Sequence, residues 1–265
     1  MTADRSPWPV RQYGELVNSV PGESRRALVV HDRPLVVGLI ELALNHGLFV
    51  VHSTASLAGA QASLDSWHPH IVVVDMDLED SGALLAEIRA SNMVRGTVTP
   101  VLGLTRRGDL GTKLKAFELG VDDILTLPFS PEELVARAIV ITRRAFGVEH
   151  SIVPSISLGD IEVDIVRREI RIGGAVIPVS AIEQSLLYVL ASRAGQTVTR
   201  EEILDAIWGI DYLAESNVVD RHIRNLRIKL RDDYRHPRFI ATVPGEGYRF
   251  MPTYSNTGWR VIRMR

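Results

Sequence analysis

A chain of 265 residues with 30 Lys and Arg against 32 Asp and Glu has a formal charge of -2, so affinity for nucleic acid must come from local patches, not from the molecule as a whole. Without cysteine a disulfide framework is excluded, and the longest apolar stretch, 34–51, is broken by Glu41, Asn45 and His46, which excludes a membrane span. The 46% hydrophobic and 23% charged fractions suit two globular domains, and the opening MTADRSPWPVRQYGE lacks the apolar core of a secretion signal, so a cytoplasmic protein is expected.

Residues 1–24 contain Pro7, Pro9 and Pro21 without sustained periodicity and read as an N-terminal arm. Over 25–146, apolar runs of strand length (ALVV 27–30, LFVV 48–51, IVVV 71–74, PVLGL 100–104, DILTL 123–127) alternate with amphipathic segments of helix length. That alternation predicts a five-stranded parallel sheet covered by helices on both faces. The last helix opens at Ser130-Pro131-Glu132-Glu133, which supplies an N-cap, a proline for the first turn and a capping acid, and is expected to run to Arg144.

In open α/β sheets, ligands bind beyond the carboxyl ends of the strands. Those ends are His31-Asp32, Asp75, Thr105 and Leu127-Pro128. Asp32 and Asp75 could hold Mg²⁺ weakly through oxygen, with a backbone carbonyl near Asp77, while Thr105 could bond a phosphoryl group on Asp75. His31 reads as a packing histidine in preference to a metal ligand. Asp75-Met76-Asp77 also fits a DxD phosphohydrolase, with the first aspartate as nucleophile. That chemistry wants a lysine at a later strand end, where Leu127 stands, so no enzyme is expected.

Periodicity lapses over 147–156, which reads as a linker. Short alternating segments follow (LGDIEVDI, RREIRIGG, VIPVS), with Gly173-Gly174 as a turn, and predict a small antiparallel sheet. Capping boxes at Ser180–Glu183 and Thr199–Glu202 start two helices that stop by Gly195 and Gly209. A third helix, NVVDRHIRNLRIKLR over 217–231, places Val219, Ile223, Leu226 and Leu230 on one stripe. Asn217, Arg221, Arg224 and Asn225 lie opposite, flanked by His222, Arg227, Lys229 and Arg231. Guanidinium, amide and imidazole groups in a row suit phosphates and base edges. FIATVPGEGYRF reads as a closing hairpin, so 157–252 describes an α+β winged helix-turn-helix, followed by a tail over 253–265.

VVHDRP, VVVDMD, LGLT and LPFSPEEL resemble the signatures of a response-regulator receiver domain. RREIRIGG, TREEILDAIWG, VVDRHIRNLRIKL and TVPGEGYRF resemble the OmpR/PhoB-type DNA-binding domain. The resemblance implies a flavodoxin-like receiver followed by the winged helix, with Asp75 as phospho-acceptor, Asp32 and Asp77 around a metal, and Thr105 as switch hydroxyl. Three positions depart from the pattern: His31 replaces a second acid, Leu127 a phosphate-pairing lysine, and Ile124 the switch aromatic. We therefore expect a degenerate receiver that needs no cofactor and acts largely without phosphorylation. The conventional alternative is a switch phosphorylated at Asp75 by a sensor histidine kinase.

By the same resemblance, Lys115, Asp122, Asp123, Glu133 and Arg137 would form ion pairs across a homodimer face made by the fourth helix, fifth strand and fifth helix. Arg221, His222, Arg224, Asn225 and Arg227 would face the major groove, and Thr242 a phosphate. Pro244 and Glu246 in the wing turn speak against minor-groove reading. Double-stranded DNA with tandem half-sites and RNA polymerase, reached through the 208–217 loop, are the expected partners, with no membrane.

Overall fold

The computed structural model describes residues 25–45, 49–96, 98–106, 108–146, 155–158, 160–164, 169–209 and 217–251. The arm, the C-terminal tail and residues 210–216 of the 208–217 loop expected to reach RNA polymerase lie outside the described residues.

In the first unit, β1 (Arg25–Val30), β2 (Phe49–Thr54), β3 (Ile71–Asp75), β4 (Val101–Thr105) and β5 (Asp123–Thr126) alternate with α1 (Pro34–Leu44), α2 (Leu57–Ser66), α3 (Ser81–Arg95), α4 (Leu110–Leu119) and α5 (Pro131–Phe146). The strands form one sheet in the order β2-β1-β3-β4-β5, and every pairing is parallel. β3 and β4 are buried along their whole length because helices cover both faces. Strand side chains alternate between those faces. Leu28, Val30, Val72 and Val74 meet α2, α3 and α4 on one side, while Ala27, Val29, Ile71 and Val73 meet α1 and α5 on the other. The Ser130 hydroxyl accepts the Glu133 N–H to cap α5, which continues two residues beyond Arg144.

In the second unit, β6 (Ser155–Leu158), β7 (Ile161–Asp164), β8 (Glu169–Ile172) and β9 (Ala175–Ile177) form an antiparallel sheet in chain order. β6 begins inside the stretch read as linker. α6 (Ala181–Ser192), β10 (Thr197–Thr199), α7 (Arg200–Trp208), α8 (Val218–Leu230), β11 (Ile240–Val243) and β12 (Gly247–Phe250) follow. Both capping boxes are formed, Ser180 with Glu183 and Thr199 with Glu202. A three-residue strand, β10, was not anticipated. It pairs with β12 and holds the terminal hairpin against the helices.

The two units share one apolar core. The face of α1 turned away from the sheet packs on α6, so the α1–α5 side of the first core runs continuously into the core of the second. Gly38 sits where a Cβ would lie 3.0 Å from the Ser192 side chain, which lets the two helices approach closely. Every residue of α6 from Glu183 to Ser192 is buried, as expected of a helix covered on all sides. Several polar groups caught in the seam are paired, although the buried Tyr188 hydroxyl has no partner among the described residues. Gln184 donates to Glu132, the Ser185 hydroxyl donates to the Phe129 carbonyl, and Arg33 meets both the carboxylate (2.7 Å) and the carbonyl (2.9 Å) of Asp205.

The terminal hairpin tests this arrangement. A Cβ at Gly247 would run into the Val198 carbonyl oxygen, whereas Gly245, at φ +77°, has open space around it. Gly247→Ala is expected to cost about 1–3 kcal/mol by overpacking. Gly245→Ala is expected to cost about 1–2 kcal/mol, through backbone strain alone. Chemical denaturation of both variants, with β10–β12 amide exchange accelerated only in Gly247→Ala, checks the distinction.

Candidate acid pocket and nucleic-acid interface

The acid pocket lies at the carboxyl ends of β1, β3 and β4. His31, Asp32 and Asp75 come together there, with one potential ligand atom from each within 4.8 Å of the others. His31 is buried, with Nε2 3.5 Å from Asp75 and Nδ1 3.3 Å from Asp32. Nδ1 accepts the Arg33 N–H at 3.1 Å, so the neutral ring carries its proton on Nε2 and turns it toward Asp75. Burial lowers the His31 pKa, against the pull of Asp75 and Asp32. Burial raises that of Asp75, against His31 and the Asp77 N–H, which bonds the Asp75 carboxylate at 2.9 Å.

Asp77 is not turned into this cluster. Its carboxylate accepts the Arg106 N–H (2.9 Å) and side-chain Nε (3.1 Å), and the Thr105 hydroxyl donates to it at 3.4 Å. Burial works against its charge, but these donors prevail and hold the Asp77 carboxyl below its usual range. Sequence reasoning missed Arg106. The available signal was its position, directly after Thr105 at a strand end. Leu127 packs into the core shared with the second unit, next to Val36, Leu39 and Ser185. An apolar side chain suits that seam, where a lysine would be desolvated.

Two of the pocket's arginines also reach the second unit. Arg33 bonds Asp205 of α7, and a Cβ at Gly209, just beyond α7, would lie 2.7 Å from the Arg106 side chain. The end of α7 therefore abuts the loops that carry Asp32 and Thr105.

The charges expected at a dimer face are largely engaged within one chain. Arg137 bonds both Asp123 oxygens (2.8 and 3.0 Å) and Glu133 (2.8 Å), which raises its pKa. Asp122 accepts the Val101 N–H at 2.7 Å and anchors β4. Lys115 rims a cavity of about 490 Å³ beside Asp77, Thr105, Arg106 and Ile124. Nearby, α4 exposes Leu110, Leu114 and Phe117.

On α8 the apolar stripe Val219, Ile223, Leu226 and Leu230 is buried, together with Val218. Arg221, Arg224 and Asn225 are exposed on the opposite side. The flanking residues are tied back to the scaffold. The Arg227 guanidinium bonds the Ile240 carbonyl (2.6 Å) and the Thr242 hydroxyl (2.8 Å) and lies 5.6 Å from the Tyr248 ring centre. Arg227 and Thr242 thus fasten helix to wing, where the resemblance implied that both would reach DNA. His222 is half-buried against Trp208, and burial, then Arg221, lowers its pKa. Lys229 bonds Glu183 of α6 at 2.6 Å.

Asp220, in the first turn of α8, forms a second clasp that the sequence reading did not single out. It accepts Arg200 Nε at 2.9 Å and the Tyr248 hydroxyl, and Arg200 lies over the Tyr248 ring. α7, α8 and β12 are joined at this point.

A parallel receiver-type sheet, joined to a winged helix that holds an arginine-rich stripe in solvent, defines a regulator that acts on DNA. Residues 27–139 match the response regulator receiver domain, and 174–250 match the domain described as transcriptional regulatory protein, C terminal. The chain is 33% identical over 238 residues to the transcriptional regulatory protein TrcR of Mycobacterium tuberculosis (strain ATCC 25618 / H37Rv), covering 89% of this chain and 90% of that one. It is also 33% identical over 225 residues to the transcriptional activator protein IrlR of Burkholderia pseudomallei (strain 1026b), covering 84% and 94%. Among solved structures it is similar to DrrB, an OmpR/PhoB homologue of Thermotoga maritima, at 30% identity over 86% of this chain and 99% of that one, TM-score 0.39. It is also similar to the Klebsiella pneumoniae RstA DNA-binding domain in complex with the RstA box, at 35% identity over 39% and 99%, TM-score 0.35. The chain belongs to the OmpR/PhoB family of DNA-binding two-component response regulators.

The Asp220 clasp yields a pH test. Burial and the bond to Asp220 push the Tyr248 phenol up to about 12. Because the folded state favours the neutral phenol, this stabilisation is present below pH ~10 and is lost as pH rises through the folded value. In ultraviolet titration, Asp220→Asn should move the Tyr248 transition down toward the ordinary phenol value.

Proposed function

We propose that this chain is a non-enzymatic, cytoplasmic transcription regulator that binds tandem half-sites as a homodimer and works largely without phosphorylation. One observation carries the DNA reading: Arg221, Arg224 and Asn225 stay exposed on a helix whose back is buried and whose neighbours are pinned. A helix anchored in this way can enter a major groove without first ordering its own side chains. Arg221 and Arg224 then grip phosphates or guanine edges, and Asn225 favours adenine. Arg227 and Thr242 act one step back, by setting the angle between helix and wing.

The pocket chemistry supports independence from phosphate. Mg²⁺ requires a near-octahedral set of oxygens. Here an imidazole N–H faces Asp75 where a further oxygen would be needed, and the Asp77 carboxylate is engaged by Arg106 and Thr105. These residues do not fit a Mg²⁺ site, and Leu127 supplies no ammonium for a phosphoryl group. His31 and Arg106 instead place N–H groups and positive charge beside the two aspartates permanently. The conventional reading, a kinase-driven switch at Asp75, would require Thr105 and Arg106 to leave Asp77.

Dimerisation is supported by the exposed Leu110, Leu114 and Phe117 of α4, which lie near the Arg137–Asp123–Glu133 network. These ion pairs are satisfied within one chain, so a second copy would gain from apolar contact and use the charges for register. The docked α7 leaves the stripe of α8 exposed, and RNA polymerase is the natural further partner of a regulator placed on a promoter.

Footprinting on genomic DNA with and without a small phosphodonor tests the whole reading. Asp75→Asn should bind with wild-type affinity, and a phosphodonor that strengthens binding only in the wild type would overturn the phosphate-independent reading. Arg224→Ala should weaken binding by about 1–3 kcal/mol if it reads a base. An even loss across sequences with a shallower salt dependence would assign it to phosphate instead. Phe117→Glu should shift the sedimenting species from dimer to monomer.

A further inference from the structure

α8 carries six aliphatic side chains on its two outer thirds and centre, and five of them are in the core. Val218, Val219, Ile223, Leu226 and Leu230 are each no more than 5% exposed, whereas Ile228 is 63% exposed. At roughly 100° per residue, Ile228 falls within about 20° of Arg221 and about 60° of Asn225 on the helix circumference. It therefore lies on the solvent-facing arginine stripe, one turn beyond Arg224 and Asn225. A single exposed aliphatic residue is ordinary on a protein surface. Its setting here is not, because its neighbours on the stripe are groups suited to phosphates and base edges.

An aliphatic side chain can gain little from a phosphate. In the major groove it has one chemical match, the C5-methyl group of thymine. We propose that Ile228 is a base-reading residue that closes on a thymine methyl beside the adenine matched by Asn225, so that this chain selects an A·T-containing half-site. The amide supplies directional hydrogen bonds to one base and the isoleucine excludes water from the methyl of another. Arg221 and Arg224 hold the helix in the groove while both are read. The proposal rests on the DNA-binding reading above and adds a residue that composition and charge alone would pass over.

The test uses the full chain. The preferred site is selected from a random DNA pool, and each thymine in it is then replaced singly by deoxyuridine, which removes only the methyl group. One replacement should weaken wild-type binding roughly fourfold, the effect of losing one buried methyl group. The same replacement should leave binding by Ile228→Ala unchanged, and Ile228→Ala selection should lose thymine at that position. Ile228 is exposed, so the variant should keep the circular dichroism and melting of the wild type. Equal deoxyuridine effects in both proteins, or an unchanged selected site, would overturn the assignment. If the wild type selects no sequence, the DNA-reading function itself fails, a result distinct from the loss of Ile228's role alone.

Discussion

The packing of α1 against α6 is the contact on which the rest of the molecule depends. α1 is apolar on two sides, one for the parallel sheet and one for the winged helix, and α6 is buried from Glu183 to Ser192 because it is covered from both directions. Removing so much aliphatic surface from water is the largest favourable term available, and it is non-directional. Direction comes from the polar contacts in the seam: Gln184 on Glu132, Ser185 on the Phe129 carbonyl, and Arg33 on Asp205. Each would be costly if left unpaired, so together they favour one docking geometry among the many that apolar contact would allow.

This seam changes the meaning of the acid pocket. Arg33 neighbours Asp32 in sequence and Arg106 follows Thr105, yet both side chains reach the α7 region. Leu127 lies in the seam itself. The pocket loops are therefore part of the domain boundary, and the apolar Leu127 suits that interface. An imidazole N–H faces Asp75, and the Arg106 guanidinium bonds Asp77. At the other end of the molecule, α8 is fixed by the clasps at Asp220–Tyr248–Arg200, Arg227–Thr242 and Lys229–Glu183. Much of the helix's basic character is spent on holding position, which leaves a short row of side chains for DNA.

Much of this was legible in the residues. Apolar runs of strand length located the five strands of the sheet, and Ser180 and Thr199 with their glutamates located two helix starts, because these signals act within a few residues of the chain. β10 escaped notice because three residues carry no usable periodicity, and its strand character comes from pairing with β12. Arg227 and Thr242 were given to DNA by resemblance, which does not show the bond between them. Arg227 meets the hairpin, which lies more than ten residues away in sequence. Lys115, Asp122, Asp123, Glu133 and Arg137 were marked as a cluster, but whether such charges pair within a chain or between chains depends on distances that spacing does not fix.

By itself the sequence determined the two folds, their order, the strand ends that carry Asp32, Asp75 and Thr105, and the amphipathic basic helix α8. Periodicity, capping and strand-end placement are local rules that the chain obeys before it is packed. The tertiary structure alone decided that the two cores merge, that Arg106 engages Asp77, and that Arg227 is a fastener. It also showed that Ile228 remains in solvent among arginines. Those outcomes arise from contacts between segments distant in sequence, where burial and hydrogen-bond geometry are set only once the whole chain has closed around them.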